Sequence, residues 1–357
     1  AQSIARGPFP MPDTHLSRYA FDGIPEIAET REVAPGVHWH RMPLPFKLDH
    51  INLWLLEDGD GWTAVDTGIA RPEVKDAWER IFTARLGGRP LRRVIVTHFH
   101  PDHVGLAGWL QERSGADVWM PLAEWAFARM LTLDQSDETH AANVAFYRAA
   151  GFDPAQLAAP AGRRGRNAQS VSPIPLTFRR YREGETIPVG GRGWRVIVGL
   201  GHSPEHACLW CEELRVLISG DQILPRISPN IAVWPHEPEA NPLALYLESL
   251  GKFCGLPDEV LVLPSHDRPF RGLAWRLDEL ADHHRVRLER TWEACSPPAT
   301  GADVLRRLFV RELDSHQLMF AIGESLAHLH FLIGEGAIVR ETRADGVRLF
   351  RQAGKFS

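Results

Sequence analysis

Residues 97–103 read Thr-His-Phe-His-Pro-Asp-His, which places His98, His100, Asp102 and His103 on one short stretch. Imidazole nitrogens and carboxylate oxygens suit Zn²⁺, Fe²⁺ or Mn²⁺. Four such side chains on a tight loop are more than one tetrahedral cation can easily use, so two adjacent cations fit better. Apolar Leu91, Val94, Ile95 and Val96 lie just upstream and predict a buried strand that ends at this loop. Three further segments follow the same rule. His202 and His206, in Gly201-His202-Ser203-Pro204-Glu205-His206, come after the apolar run 194–200. Asp221, in Ser219-Gly220-Asp221, comes after 215–218. His266, in Pro264-Ser265-His266, comes after 260–263. Ligand-type residues at the C-terminal ends of strands are where layered α/β folds build their sites.

These residues, in this order, resemble the metallo-β-lactamase superfamily, with a metal pattern similar to glyoxalase II. Val65-Asp66-Thr67-Gly68 matches the same family's early Asp motif. The resemblance covers roughly residues 31–292 and implies a four-layered αββα sandwich. It implies one metal site from His98, His100 and His202 and a second from Asp102, His103 and His266, with Asp221 bridging them beside a hydroxide. Asp66 and His206 would support the ligands from behind. The cofactor it implies is two zinc ions, with iron or manganese as the other options. Asp102 and Asp221 would orient the hydroxide and so carry the catalysis.

The chemistry that follows is hydrolysis, because paired cations bring a bridging water towards ionisation at neutral pH. Asp221 stands where the best-known zinc β-lactamases carry a cysteine or leave the bridge empty, which argues against β-lactam cleavage. A carboxylic ester, thioester or lactone is the expected substrate. The alternatives are a phosphodiesterase or endoribonuclease of the same superfamily and, in another class, a metal-holding sensor without turnover.

The 357 residues suffice for one large α/β domain and a smaller appendage. A net charge of −5 disfavours nucleic acid as partner. No apolar run reaches the length of about 18 residues that a membrane helix needs. Cys208-Leu-Trp-Cys211 has the spacing of a redox or zinc pair, but the segment 206–211 reads as a core strand. Residues three apart in a strand face opposite ways, so two inert thiols are expected. A cytoplasmic setting is the expectation, with a removed signal peptide left open.

The elements that must position the site read as strands over 36–41, 51–57, 62–66 and 92–97 and as helices over 72–86 and 105–113. Residues 1–30 form an N-terminal arm and 31–294 the catalytic domain. Residues 120–190 read as a helical insert, with helices over 121–133 and 137–150. Trp125, Met130, Phe146 and Tyr147 would supply its apolar contacts to a small substrate. Arg163, Arg164, Arg166, Arg179 and Arg180 are the residues a nuclease would use instead.

Residues 272–294 predict a long helix ending before Ser296-Pro-Pro. Beyond it, helices over 302–310 and 315–334 and a hairpin around Asp345-Gly346 resemble the small winged-helix tail of one branch of the superfamily. Residues 226–235 resemble that branch too. In 295–357, eight basic residues face seven acidic ones. Such a near-neutral tail is expected to pack or to form a homodimer rather than to read a nucleic acid.

Overall fold

The computed structural model describes residues 18–162, 165–310 and 312–356. Most of the N-terminal arm, together with Arg163 and Arg164, lies outside the described residues. Seven strands make a first sheet in chain order: β1 (Arg31–Ala34), β2 (Val37–Pro43), β3 (His50–Asp58), β4 (Gly61–Val65), β5 (Leu91–Ile95), β6 (Asp117–Met120) and β7 (Arg179–Arg180). The first four pair antiparallel; from β4 onward the pairing is parallel. The crossovers are α1 (Pro72–Ala84), then α2 (Pro101–Val104) with α3 (Ala107–Ser114). Four helices follow β6: α4 (Leu122–Leu133), α5 (Asp137–Ala149), α6 (Pro154–Ala161) and α7 (Arg166–Ser170).

The second sheet runs β12-β11-β10-β9-β8, from β8 (Thr186–Val189), β9 (Arg192–Gly199), β10 (His206–Cys211), β11 (Val216–Gly220) and β12 (Leu261–Pro264). Helix α8 (Pro242–Leu250) lies between β11 and β12. Trp39, Trp54, Val65 and Ile95 from the first sheet meet Trp194, Val196, Leu209, Ile218 and Leu263 from the second. The outer face of the first sheet packs through Leu53, Leu55 and Val94 on Trp78, Ile81 and Leu110. The outer face of the second packs through Ile197, Trp210, Leu217 and Val262 on Tyr246, Leu250 and Leu277. The result is the αββα sandwich. Because both sheets are covered on both faces, β4, β10 and β11 are buried along their whole length instead of alternating. Cys208 and Cys211 are free thiols on opposite faces of β10, one in the outer core and one between the sheets.

The chain ends with α9 (Leu273–Ala294), β13 (Ala299–Thr300), α10 (Gly301–Leu308), α11 (Ser315–Gly334), β14 (Ile338–Thr342) and β15 (Arg348–Gln352). The short sheet has the order β13-β15-β14. This module does not stand apart. Leu277, Leu288, Leu305, Ile322, Leu326 and Phe350 belong to the same buried cluster as Tyr246 and Val262. Val233 donates its N–H to the Gly323 carbonyl at 3.0 Å, and a Cβ on Gly323 would stand 2.8 Å from that of Ala232.

The stretch 120–190 differs from the expectation in one respect. Its helical part ends at Ser170, and 179–189 returns to the sheets as β7 and β8. Buried Tyr181 donates its hydroxyl to the Val96 carbonyl at 2.7 Å and draws the chain back into the sandwich. In β8 only Ile187 and Val189 are buried, and the proline between them masks the alternation in sequence.

The close approach at residue 323 gives a test. Gly323→Val should lower stability by roughly 1–3 kcal/mol through overpacking against residues 232–233. Urea denaturation would measure it, and a loss under about 0.5 kcal/mol would show that α11 is not held tightly against that segment.

Candidate metal centre

Every candidate ligand sits where a strand stops. Asp66 follows β4, the 98–103 stretch follows β5, His202 follows β9, Asp221 follows β11 and His266 follows β12. Two local features make this possible. Asp66 has a φ of 62°, a left-handed conformation that Asp and Asn tolerate better than most residues. Gly220 has a φ of 54°, and a Cβ there would stand 2.5 Å from the His206 ring. Its absence lets His206 Nε2 accept the backbone N–H of Asp221 at 3.0 Å. Burial holds His206 down to about 3, so its ring is neutral and can accept.

Seven side chains converge in two groups, within each of which the ligand atoms lie no more than 4.8 Å apart: His98, His100, His202 and Asp221; and Asp102, His103 and His266. In the first, His98 Nε2 is 2.9 Å from His100 Nδ1 and 3.3 Å from His202 Nε2, and the last two are 3.0 Å apart. Nitrogens around a tetrahedral zinc lie about 3.3 Å apart, given zinc–nitrogen bonds near 2.0–2.1 Å. Burial and the neighbouring rings hold His98 and His100 well below the usual imidazole value. Three ring nitrogens at this spacing match the edges of a tetrahedral ligand set around one cation.

Asp221 spans both groups. Its Oδ2 is 3.4 Å from His202 Nε2, and its Oδ1 is 3.4 Å from both His103 Nε2 and His266 Nε2. Asp102 Oδ2 is 3.7 Å from His103 Nε2 and 3.6 Å from His266 Nε2. Asp221 Oδ1 and His103 Nε2 are buried without a hydrogen bond. Burial alone would depress His103, but Asp221, Asp66 and Asp102 override it and hold the ring well above its usual value. His266 is raised in the same way against burial, chiefly by Asp221. The field at this point favours positive charge, which a divalent cation would supply better than a proton. The donor set therefore fits two divalent metals.

The far nitrogens are held. His103 Nδ1 is 2.8 Å from Asp66 Oδ2, His202 Nδ1 is 2.9 Å from the Asn230 carbonyl, and His266 Nδ1 is 2.9 Å from the His50 carbonyl. Asp66 also accepts the Thr97 N–H at 2.8 Å, and the Thr97 hydroxyl is 3.0 Å from His98 Nδ1. Such contacts fix tautomer and ring orientation. Sequence reasoning missed Glu124. Fully buried on α4, it accepts from Phe99 N–H at 2.9 Å, Ser203 hydroxyl at 2.7 Å and Glu205 N–H at 2.6 Å. It thus ties the two histidine loops together, although burial pushes its carboxyl up to about 7.

The groups open on a cavity of about 1170 Å³ lined by Leu44, Ile69, Phe99, Met130, Leu131, Trp234 and Phe320, among others. Of the four contacts expected from the insert, Met130 and Tyr147 line this cavity, but Trp125 and Phe146 do not. Trp125 stacks on Phe178 and donates to the Pro175 carbonyl at 2.8 Å; Phe146 packs into the outer core. Of the arginines a nuclease would use, the side chains of Arg179 and Arg180 are described. Arg179 lies over the Trp119 ring, and neither it nor Arg180 lines the cavity. Among the described residues no helix is long and apolar enough to cross a membrane.

Residues 46–266 match the family model of the metallo-beta-lactamase superfamily. The chain belongs to that superfamily. Residues 288–353 match the metallo-beta-lactamase-like C-terminal domain. A solved structure, a beta-lactamase domain protein from Burkholderia ambifaria, is 47% identical with a TM-score of 0.88, over 94% of this chain and 98% of that one. The probable metallo-hydrolase YqjP of Bacillus subtilis is 25% identical over 84% of this chain and 92% of its own length. A hydroxyacylglutathione hydrolase of Pseudomonas entomophila is 30% identical over 52% of this chain and 67% of its own. The protein is a metal-dependent hydrolase.

The Asp66 contact is open to test. Asp66→Asn keeps a residue that tolerates the left-handed backbone but removes the charge facing His103 Nδ1. Zinc affinity in a chelator competition should fall about 10–100-fold with the fold intact. A change below about twofold would mean that Asp66 does not orient the ring.

Proposed function

We propose that the protein hydrolyses a carboxylic ester, thioester or lactone, with a thioester first among them, at a pair of divalent cations, most simply zinc. His98, His100 and His202 would hold one, and Asp102, His103 and His266 the other, with Asp221 shared. When bound, the cations supply Lewis acidity and hydroxide at neutral pH. The observation that carries the reading is the Asp221 carboxylate, which faces both histidine groups at the floor of a largely apolar cavity. The thioester preference rests on the hydroxyacylglutathione hydrolase relatives, whose named substrate bears its acyl group on sulfur.

The chain's own part is positioning and proton handling. Asp221 Oδ1 lacks a hydrogen bond and faces His103 and His266, where it would help orient the attacking water. The Asp102 side chain is a fifth exposed, against a tenth for Asp221, and is the better placed to pass that water's proton to the leaving sulfur or oxygen. Met130, Tyr147 and Phe320 would flank the acyl group and exclude water from it. Phe320 comes from α11, so the C-terminal module would form a wall of the site. That role favours a structural module over a nucleic-acid reader.

Metal-loaded protein should turn over small thioesters, aryl esters or lactones and leave single-stranded RNA intact. Salt-sensitive RNA cleavage without acyl turnover would overturn the proposal. Elemental analysis should find about two equivalents of metal, and less than about half an equivalent after growth with added zinc would contradict the paired site. Asp221→Ala should remove nearly all turnover, by about 10³-fold or more, and loosen one metal. Near-wild-type turnover with two metals bound would refute the shared role.

A further inference from the structure

The charges that line the cavity separate into those with partners and those without. Asp102 and Asp221 belong to the proposed metal groups. Asp134 accepts from the Ser136 and Thr139 hydroxyls at 2.8 and 2.6 Å at the start of α5. Asp314 accepts from the Gln317 N–H at 2.8 Å at the start of α11. His236 is held below its usual value by burial, and so neutral. Among the described lining residues, Lys47 and Arg71 are the two full cations. Both are exposed, and among the described residues neither has an ion pair or side-chain hydrogen bond. The described residues thus leave two cations without partners on the rim of a cavity, in a chain of net charge −5.

Both are carried by loops tied to the second ligand group. The 44–49 loop closes through Leu44 N–H to the Asp49 carbonyl at 2.9 Å, and the next residue, His50, offers its carbonyl to His266. Arg71 follows the 67–69 turn, where Thr67 N–H reaches the His103 carbonyl at 2.9 Å and Leu106 N–H reaches the Gly68 carbonyl at 3.1 Å. Arg71 itself starts α1, and the neighbouring Ala70 N–H bonds the Ser170 carbonyl at 3.0 Å. The backbone beneath each cation is therefore fixed relative to His103 and His266. These two loops also line the cavity with Leu44, Phe46, Leu48 and Ile69, and Met130, Leu131, Trp234 and Phe320 line it from α4, α11 and the segment before α8.

We propose that Lys47 and Arg71, on the rim of this cavity, bind an anionic group, a carboxylate or a phosphate, carried by the substrate. This rests on the hydrolase reading and narrows its substrate class to acyl compounds carrying negative charge. Arginine offers a planar fork to such a group and lysine a mobile point charge.

The test uses the metal-loaded full chain and three thioesters of matched length: one neutral, one ending in a carboxylate and one ending in a phosphate. For at least one anionic substrate, kcat/KM should exceed that of the neutral one and fall with added salt. In Lys47→Glu/Arg71→Glu that advantage should drop about tenfold or more, mainly through KM, while the neutral substrate changes less than about twofold. Lys47→Arg/Arg71→Lys should restore most of it. Preference for the carboxylate or for the phosphate identifies the anion. Equal losses on neutral and anionic substrates, or no anionic preference in the wild type, would overturn the proposal. A second readout separates it from the hydrolase reading. Calorimetry with glutarate and with inorganic phosphate should show binding of at least one that weakens about tenfold in the double Glu variant, even if no thioester is cleaved. Unchanged binding of both would also overturn it.

Discussion

Five imidazoles and two carboxylates share one small space, and positive charge between them is the constraint on which the rest of the structure depends. Three ring nitrogens meet at about 3 Å on one side of Asp221. On the other side, a buried carboxylate oxygen and a buried ring nitrogen face each other without a hydrogen bond. Burying unpaired polar atoms costs roughly 1–3 kcal/mol each. The strand ends, the left-handed Asp66 and the missing Cβ of Gly220 all serve to hold this arrangement, whose donor set divalent metal would satisfy.

Around the cluster runs a shell of contacts that sets each ring. Asp66 and Thr97 act on the β5 loop, Asn230 on His202 and the His50 carbonyl on His266. Glu124 clamps the two histidine loops to α4. The helix that walls the cavity with Met130 therefore also braces the ligands. The C-terminal module is joined to the same body through the continuous core beneath α8 and α9, and it delivers Phe320 to the cavity.

The heptapeptide was legible because four ligand-type residues are adjacent in sequence; the pattern of strands and helices by itself gave only α/β, and the αββα sandwich was implied by the resemblance those residues carry. Other parts were not legible, for physical reasons. His50 and Asn230 act through carbonyls that any residue carries. Glu124 sits in the first turn of α4, where an acid is ordinarily a solvated partner of the helix dipole. Trp125 and Met130 share one helix, and composition does not say which side turns to the cavity; burial against Phe178 decides it for Trp125. The return of the chain into the sheets at 179–189 was hidden because its anchor, Tyr181, bonds a carbonyl 85 residues away.

The central claim is that two cations occupy this cluster with Asp221 between them. Anomalous diffraction at the zinc edge, on crystals of zinc-loaded protein, tests it most directly. The account predicts two peaks, one against His98, His100 and His202 and one against Asp102, His103 and His266, with the Asp221 carboxylate touching both. A single peak, or two peaks with Asp221 turned away from either, would contradict it.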